Sequence, residues 1–149
     1  MSKSNTWESD LLKLVFNNTT ASLIGDATGL VGSATAGVVY VSLHTADPTE
    51  GGSQTSSEAT YTGYTRISVA RTAGGWSISG TTPTAASNVS TVTFPICTGG
   101  SNTISHVGIG TDFSGTGKLL YSGALGSTLA VSNNITPSFA PGAIVITED

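Results

Sequence analysis

Val38-Val39-Tyr40-Val41-Ser42-Leu43-His44-Thr45-Ala46-Asp47-Pro48 is the longest apolar, β-branched run of the chain, and it ends in a strong turn signal. Its valines and tyrosine favour a pleated, half-buried backbone. Pro48 fixes its own φ, has no N–H to give to a ladder, and pushes Asp47 into an extended conformation, so the strand must stop there. Val39, Val41 and Leu43 share one face; Val38, Tyr40, Ser42 and His44 share the other. Leu43 is expected inside and His44 outside. A strand apolar on both faces near its start belongs in the middle of a sandwich, and the rest of the chain is read around it as the core strand.

From Tyr61 onward short apolar runs recur between turn residues. They place strands at 64–71, 75–79, 89–94, 103–110, 118–125, 128–131, 135–139 and 143–147. Ala73-Gly74-Gly75 has the composition of a hairpin turn between the first two. With the opening strand this makes about nine strands at roughly 8–12-residue spacing, the signature of an antiparallel sandwich or barrel. The fold class is therefore all-β, a jelly-roll-like antiparallel β-sandwich.

One helix is expected, at the N-terminus. Asn5 can cap it, with Glu8 three residues on reaching back. Trp7, Leu11, Leu14 and Val15 follow helical spacing, Leu12 and Phe16 widen the stripe, and Asn17-Asn18-Thr19-Thr20 ends it. About three turns are marginal alone, so the apolar face must dock on its own sandwich or on a neighbouring subunit. The chain reads as a single domain over 1–149, with a helical arm over 1–20 and the sandwich over 38–149. Between them lies an irregular connection in which Leu30-Val31 is expected to pin to the core. The polar stretch 49–60 is long enough to be either mobile or a functional contact.

Charge is scarce. Only 9% of the 149 residues are charged, against about 25% in an ordinary soluble domain. The polar surface must come from 21 Ser and 24 Thr, a composition that suits strands and tight turns. A surface so poorly charged is weakly protected against self-association. Net charge of −4 and the scatter of Lys3, Lys13, Arg66, Arg71 and Lys118 argue against nucleic-acid binding. No run approaches a membrane span, and the first residues lack the apolar core of a signal peptide. Cys97 is alone, so no internal disulfide forms, and synthesis in a reducing cytoplasm is the simplest expectation.

No chemistry-bearing constellation stands out. Two histidines, His44 and His106, with Asp47 lack metal-ligand spacing, and Asp47 is better read as capping its own turn. None of the serines sits in Gly-x-Ser-x-Gly. Gly115-Thr116-Gly117-Lys118 has Asp112 where a phosphate loop needs glycine, and Leu119 where it needs a magnesium-binding hydroxyl. No catalytic, cofactor-binding or metal residue is assigned, and no cofactor is expected. Trp76, Tyr61 and Tyr64 could form a sugar platform, which keeps a carbohydrate-binding β-sandwich module among the alternatives, but Trp76 is better read as a plug of the fold.

Leu43-His44-Thr45-Ala46-Asp47-Pro48 followed by Gly63-Tyr64-Thr65-Arg66 resembles a family of small tailed-bacteriophage virion proteins, described as tail fibre, minor structural or capsid decoration proteins. Val92-Thr93-Phe94-Pro95, Thr103-Ile104-Ser105-His106-Val107-Gly108-Ile109 and Gly117-Lys118-Leu119-Leu120-Tyr121-Ser122-Gly123-Ala124-Leu125 fit it in order. The resemblance implies a structural motif carried by Leu43, His44, Asp47, Pro48, Tyr64 and Arg66, and no enzymatic residues. It further implies a virion component made in the host cytoplasm. Small size and the lack of repeats favour a capsid decoration or cement protein. Its expected partners are the major capsid protein and copies of itself, as a homo-oligomer without direct nucleic-acid or membrane contact. A tail fibre or tail-associated role is the alternative.

Overall fold

The structure is a computed structural model that describes residues 2–148. Its elements run α1 (Asn5–Asn17), β1 (Val38–His44), β2 (Ile67–Ala70), β3 (Trp76–Ser79), β4 (Thr84–Asn88), β5 (Val92–Thr93), β6 (Asn102–Gly110), β7 (Leu119–Val131), β8 (Ser138–Phe139) and β9 (Val145–Glu148). They form a four-stranded sheet in the order β2-β1-β6-β7, a three-stranded sheet β3-β4-β9 and a two-stranded sheet β5-β8. The fold is antiparallel and all-β with one N-terminal helix, the class expected of a sandwich. The chain divides into two compact units. One takes in the chain up to Val38, Ala70–Thr91 and the chain from Phe139; the other is Val39–Val69 with Val92–Ser138.

In the first unit α1 packs on β3, β4 and β9. Its buried face is Glu8, Leu12 and Phe16, one residue per turn, and Phe16 meets Trp76 with ring centroids 4.8 Å apart. The apolar stripe is thus spent on the helix's own unit. The cap differs from expectation by one position. Ser4, not Asn5, is extended and accepts the Trp7 N–H, so Glu8 lies one residue too far on for a reciprocal box and turns inward instead. Asn18 ends the helix in the left-handed region (φ 53°), which asparagine tolerates better than most residues. Its amide then grips Ser33 at both N–H and C=O, at 2.7 and 2.8 Å. Above that clamp Ala21 and Leu30 pair backbone to backbone, closing a loop. Leu30 and Val31 do not pin to the core: they are exposed, as is Leu23. The Leu30 backbone is held by Ala21, and its side chain is free to face water.

Sequence and structure part company in three strands. β4, Thr-Ala-Ala-Ser-Asn, has poor strand propensity, yet it is the centre of the three-stranded sheet. Thr84, Ala86 and Asn88 face inward, and pairing on both sides with β3 and β9 overrides local preference. The expected strand 89–94 is therefore reduced to Val92–Thr93. Asn88 ends β4, because its amide bonds Ser90 O, Ala140 O and Ile144 N and ties down the chain on either side. The expected hairpin at Ala73-Gly74-Gly75 does not form. The chain leaves the four-stranded sheet at Ala70 and enters the three-stranded one at Trp76. The reason is Arg71, whose guanidinium bonds Leu14 O and Val15 O at 2.7 and 2.6 Å and Ala36 O at 3.1 Å. Three carbonyl acceptors near a helix C-terminus hold the chain where a tight hairpin would have turned it back.

The second unit contains most of β1, an interior strand of the four-stranded sheet that is buried on both faces from Val41 to His44. β1 pairs antiparallel with β6, from Tyr40 opposite Gly110 to His44 opposite His106. β6 pairs in turn with β7, where the two expected strands 118–125 and 128–131 appear as a single element. The break expected at Gly126-Ser127 is a large bulge: Ser105 of β6 faces the extra residues 125–128 of β7.

Replacing Arg71 with Met should cost the first unit about 2–3 kcal/mol, because three buried-side carbonyls lose a charged donor. Urea unfolding followed by tryptophan fluorescence measures it, since both Trp7 and Trp76 belong to this unit.

Candidate functional site

Four of the motif residues, Leu43, His44, Tyr64 and Arg66, lie around one polar cluster in the second unit, whereas Asp47 and Pro48 belong to the turn that follows β1. β1 ends at His44, and the loop that follows returns alongside it. Thr45 N bonds Ser57 O and Ala59 N bonds Leu43 O, both at 2.8 Å. Leu43 is fully buried, as expected, and its N–H donates to the Tyr64 hydroxyl at 3.1 Å. That hydroxyl donates to Glu58 Oε1 at 2.9 Å. Arg66 grips the same carboxylate with Nε and Nη2 at 2.7 and 2.8 Å, a bidentate fork. Its remaining donors bond Asp112 O at 2.8 Å and Gly115 O at 2.7 Å. Arg66 is only 4% exposed. Glu58 holds its guanidinium above the ordinary value, against the opposing effect of burial. Burial drives the Tyr64 phenol upward, so it stays a donor.

The 49–60 loop is held rather than loose. Gln54 is fully buried and reads Asp112 at both ends: its carbonyl accepts Asp112 N at 2.9 Å and its amide donates to Asp112 O at 3.2 Å. Gln54 N bonds Thr116 O at 2.9 Å. A Cβ on Gly110 or Gly117 would overlap the Gln54 amide, so both positions must be glycine for the two loops to close. Asp47 does cap its own turn, accepting Thr49 N at 2.9 Å, and Pro48 is buried beneath it.

His44 is the correction. The strand alternation put it outside, but it is fully buried. Its Nδ1 lies 2.8 Å from Ser56 O and its Nε2 2.8 Å from Ser42 Oγ. Burial lowers its pKa below the ordinary 6.5, outweighing the Ser56 carbonyl and Glu58, which raise it, while Arg66 and His106 lower it further. A serine hydroxyl on a histidine nitrogen has the outline of a nucleophile and its base. The geometry denies it that use. Both side chains are sealed, the second nitrogen meets a carbonyl in place of a carboxylate, and Gly108 lies over the pair. Even a Cβ at Gly108 would come within 2.6 Å of Nε2 and 2.7 Å of Ser42 Oγ, so no substrate reaches them. His106 bonds its neighbour Ser105 through Nδ1 at 2.9 Å. Among the described residues no three His, Cys, Asp or Glu side chains gather as a metal site.

The aromatic platform is not assembled either. Trp76 is fully buried and Tyr61 nearly so. Tyr61 instead meets Tyr64 edge-on with centroids 5.4 Å apart, and Tyr64 stacks on Phe94 at 6.1 Å. Two open features flank the cluster. A recess of about 210 Å³ lies over Glu58, Tyr64 and Arg66 with Phe113 on its rim. A groove of about 500 Å³ runs between Asp47, Thr49, Glu50 and Gly52 on one side and Leu119–Ser122 on the other. Sequence reading found Tyr64 and Arg66 but passed over Glu58 and Gln54, which lie in a Gly/Ser-rich loop without periodicity. The one available signal was that a chain with nine acidic residues places one directly before the apolar Ala59.

A family model described as podophage GP4 fiber I protein gp80 matches residues 2–147. No curated protein matches the chain.

Glu58→Gln should destabilise the fold by about 3 kcal/mol, since it leaves a buried guanidinium without its counter-charge; far-UV circular dichroism in denaturant measures it. His44 gives a second expectation. Its folded pKa lies below the unfolded value of 6.5, so the unfolded state takes up the proton first. The stability it supplies is complete above pH 6.5 and is lost as pH falls through the folded value. Tm should therefore drop on acidification below neutrality, and His44→Gln should flatten that part of the curve.

Proposed function

The chain belongs to the podophage GP4 fiber I protein gp80 family and is a phage structural protein, and we propose that it serves as a non-catalytic subunit of a podophage fibre. The observation that carries this reading is the extent of the family match, which covers nearly all of both compact units and reaches into every strand. The geometry supports it. This polar cluster spends its charge internally: both Glu58 oxygens are taken by Arg66 and Tyr64, and Arg66 also bonds the Asp112 and Gly115 carbonyls. Such a cluster fixes loops and leaves no group convergent on a reacting atom. Synthesis in the host cytoplasm before assembly fits a chain whose single cysteine, Cys97, is buried and has no internal disulfide partner.

A second reading, a capsid decoration protein bound to the major capsid protein, is favoured by one feature. The chain has no fixed-period repeat and is built from short elements, whereas a fibre shaft usually relies on repetition. Copy number separates the two. Densitometry of purified virions should give a few copies per particle, with immunogold label at the tail. Near-equality with the major capsid protein and label over the shell would replace the fibre reading with the decoration reading. Absence from particles would sink both.

A further inference from the structure

The first turns of α1 are seated differently from the rest of the helix. Its buried residues are Glu8, Leu12 and Phe16, so 5–11 send a single side chain fully inward, and that side chain is a carboxylate. Glu8 is 4% exposed, yet its side chain has no hydrogen-bond or ion-pair partner among the described residues. Trp7 and Leu11 are only half-buried. Buried carboxylates are ordinarily paired, because leaving water without a counter-charge costs more than the burial returns.

The strand under this end of the helix repeats the deficit. Thr84 opens β4, faces inward and is 1% exposed, and its Oγ1 likewise has no partner among the described residues. Two anchors set the helix against the strand. Asn5 Nδ2 donates to Thr82 Oγ1 at 3.2 Å, and Phe16 meets Trp76, which lies opposite Asn88 in register. Helix and strand therefore run side by side in the same direction. Three residues on from Asn5 the helix has advanced about 4.5 Å, and two residues on from Thr82 the strand about 6.6 Å, which brings Glu8 level with Thr84.

The two ends of the helix are also fastened unequally. Beyond Leu11 the seat is firm. Leu12 and Phe16 are fully buried, Arg71 bonds the Leu14 and Val15 carbonyls, and the Lys13 carbonyl accepts both the Asn18 and the Thr19 N–H. At the other end the chain is tied to its sheet by the exposed Asn5–Thr82 bond and by the Lys3–Glu148 pair, whose lysine side chain is 35% exposed. Surface ties of that kind hold weakly.

We infer that residues 3–11 form a strap that lifts from its own sheet as a unit, pivoting at Leu12, while the last turns of α1 stay seated. Lifting puts the Glu8 carboxylate and the Thr84 hydroxyl into water, which supplies the bonds that the shut form withholds. The open form presents Trp7, Leu11 and the Thr84 end of β4, which the shut form covers. A local opening of this kind costs less than unfolding the unit around it. The device depends on neither the fibre nor the decoration reading.

Native-state hydrogen exchange of the full chain tests this. Amides of 9–12 should exchange at least about tenfold faster than those of 14–17, the scale of one unmet hydrogen bond at a buried site. The sign of a substitution then separates a strap from ordinary fraying. An acidic side chain near a helix N-terminus favours the helix, so at a merely frayed end Glu8→Leu should lower protection. In a strap the same change removes an unpaired buried charge and should raise protection of 9–12 by about tenfold. Glu8→Gln should act in the same direction and more weakly. Thr84→Val keeps the shape of the side chain, removes the unpartnered hydroxyl and should raise protection severalfold; it decides the matter should the Glu8 variants misfold. Equal protection along α1 in the wild type, or no gain from Glu8→Leu and Thr84→Val, overturns the inference.

Discussion

The second unit depends on a bidentate ion pair, Arg66 on Glu58, set where no apolar contact could do the same task. The two loops it joins, 49–60 and 111–118, contain almost nothing that could be buried for hydrophobic gain. They are mostly glycine, serine, threonine and acidic residues, and polar loops are ordered only by hydrogen bonds that survive competition with water. A guanidinium with five donors in a fixed plane is suited to that: two go to Glu58 and two more reach Asp112 and Gly115 carbonyls. Gln54 repeats the arrangement one layer away without charge. Buried pairs of this kind add little net stability compared with apolar replacements. What the pair supplies is a single geometry for loops that would otherwise sample many.

The same logic explains what could be read in advance. β1 was legible because valines crowd it and β6 because Ile104, Val107 and Ile109 recur along it between turn residues, and the end of β1 was legible because Asp47-Pro48 forbids continuation. β4 was not, because its alanines and asparagine acquire strand geometry only from the partners on both sides. The join within β7 was half legible. Gly126-Ser127 marks a real irregularity, but composition cannot tell a bulge from a break. His44 misled because alternation predicts which face a side chain takes and not whether that face is covered. Its burial is decided by Gly108 of β6, beyond four intervening strands of the chain and opposite Ser42 in register. Gln54 carried no signal, since a buried glutamine looks the same as a solvated one until its partners are known.

Charge, already scarce in composition, is scarcer still on the surface of this phage structural protein. Of five cations, Arg66 is sealed against Glu58 and Arg71 is spent on helix and loop carbonyls. Lys3 sits 3.1 Å from Glu148. A surface left with so few fixed charges exerts weak long-range fields, so it neither steers a partner from a distance nor repels one. What it can offer a neighbour is shape, hydroxyl groups and uncovered apolar side chains. The last are placed by the backbone in two kinds of position. Leu23 and Val31 project from a loop closed by the Ala21–Leu30 pairing and the Asn18–Ser33 clamp, and Leu23 is held there at a φ of 65°, which a bulky residue seldom adopts. The leucines of β7 lie along an edge. In both cases hydrogen bonds fix the backbone, and Leu23, Val31 and Leu120 are left exposed, the reverse of what monomer stability alone would select. A chain that confines its charges to loop fastening and leaves apolar groups outside on fixed supports is arranged for contacts made at short range.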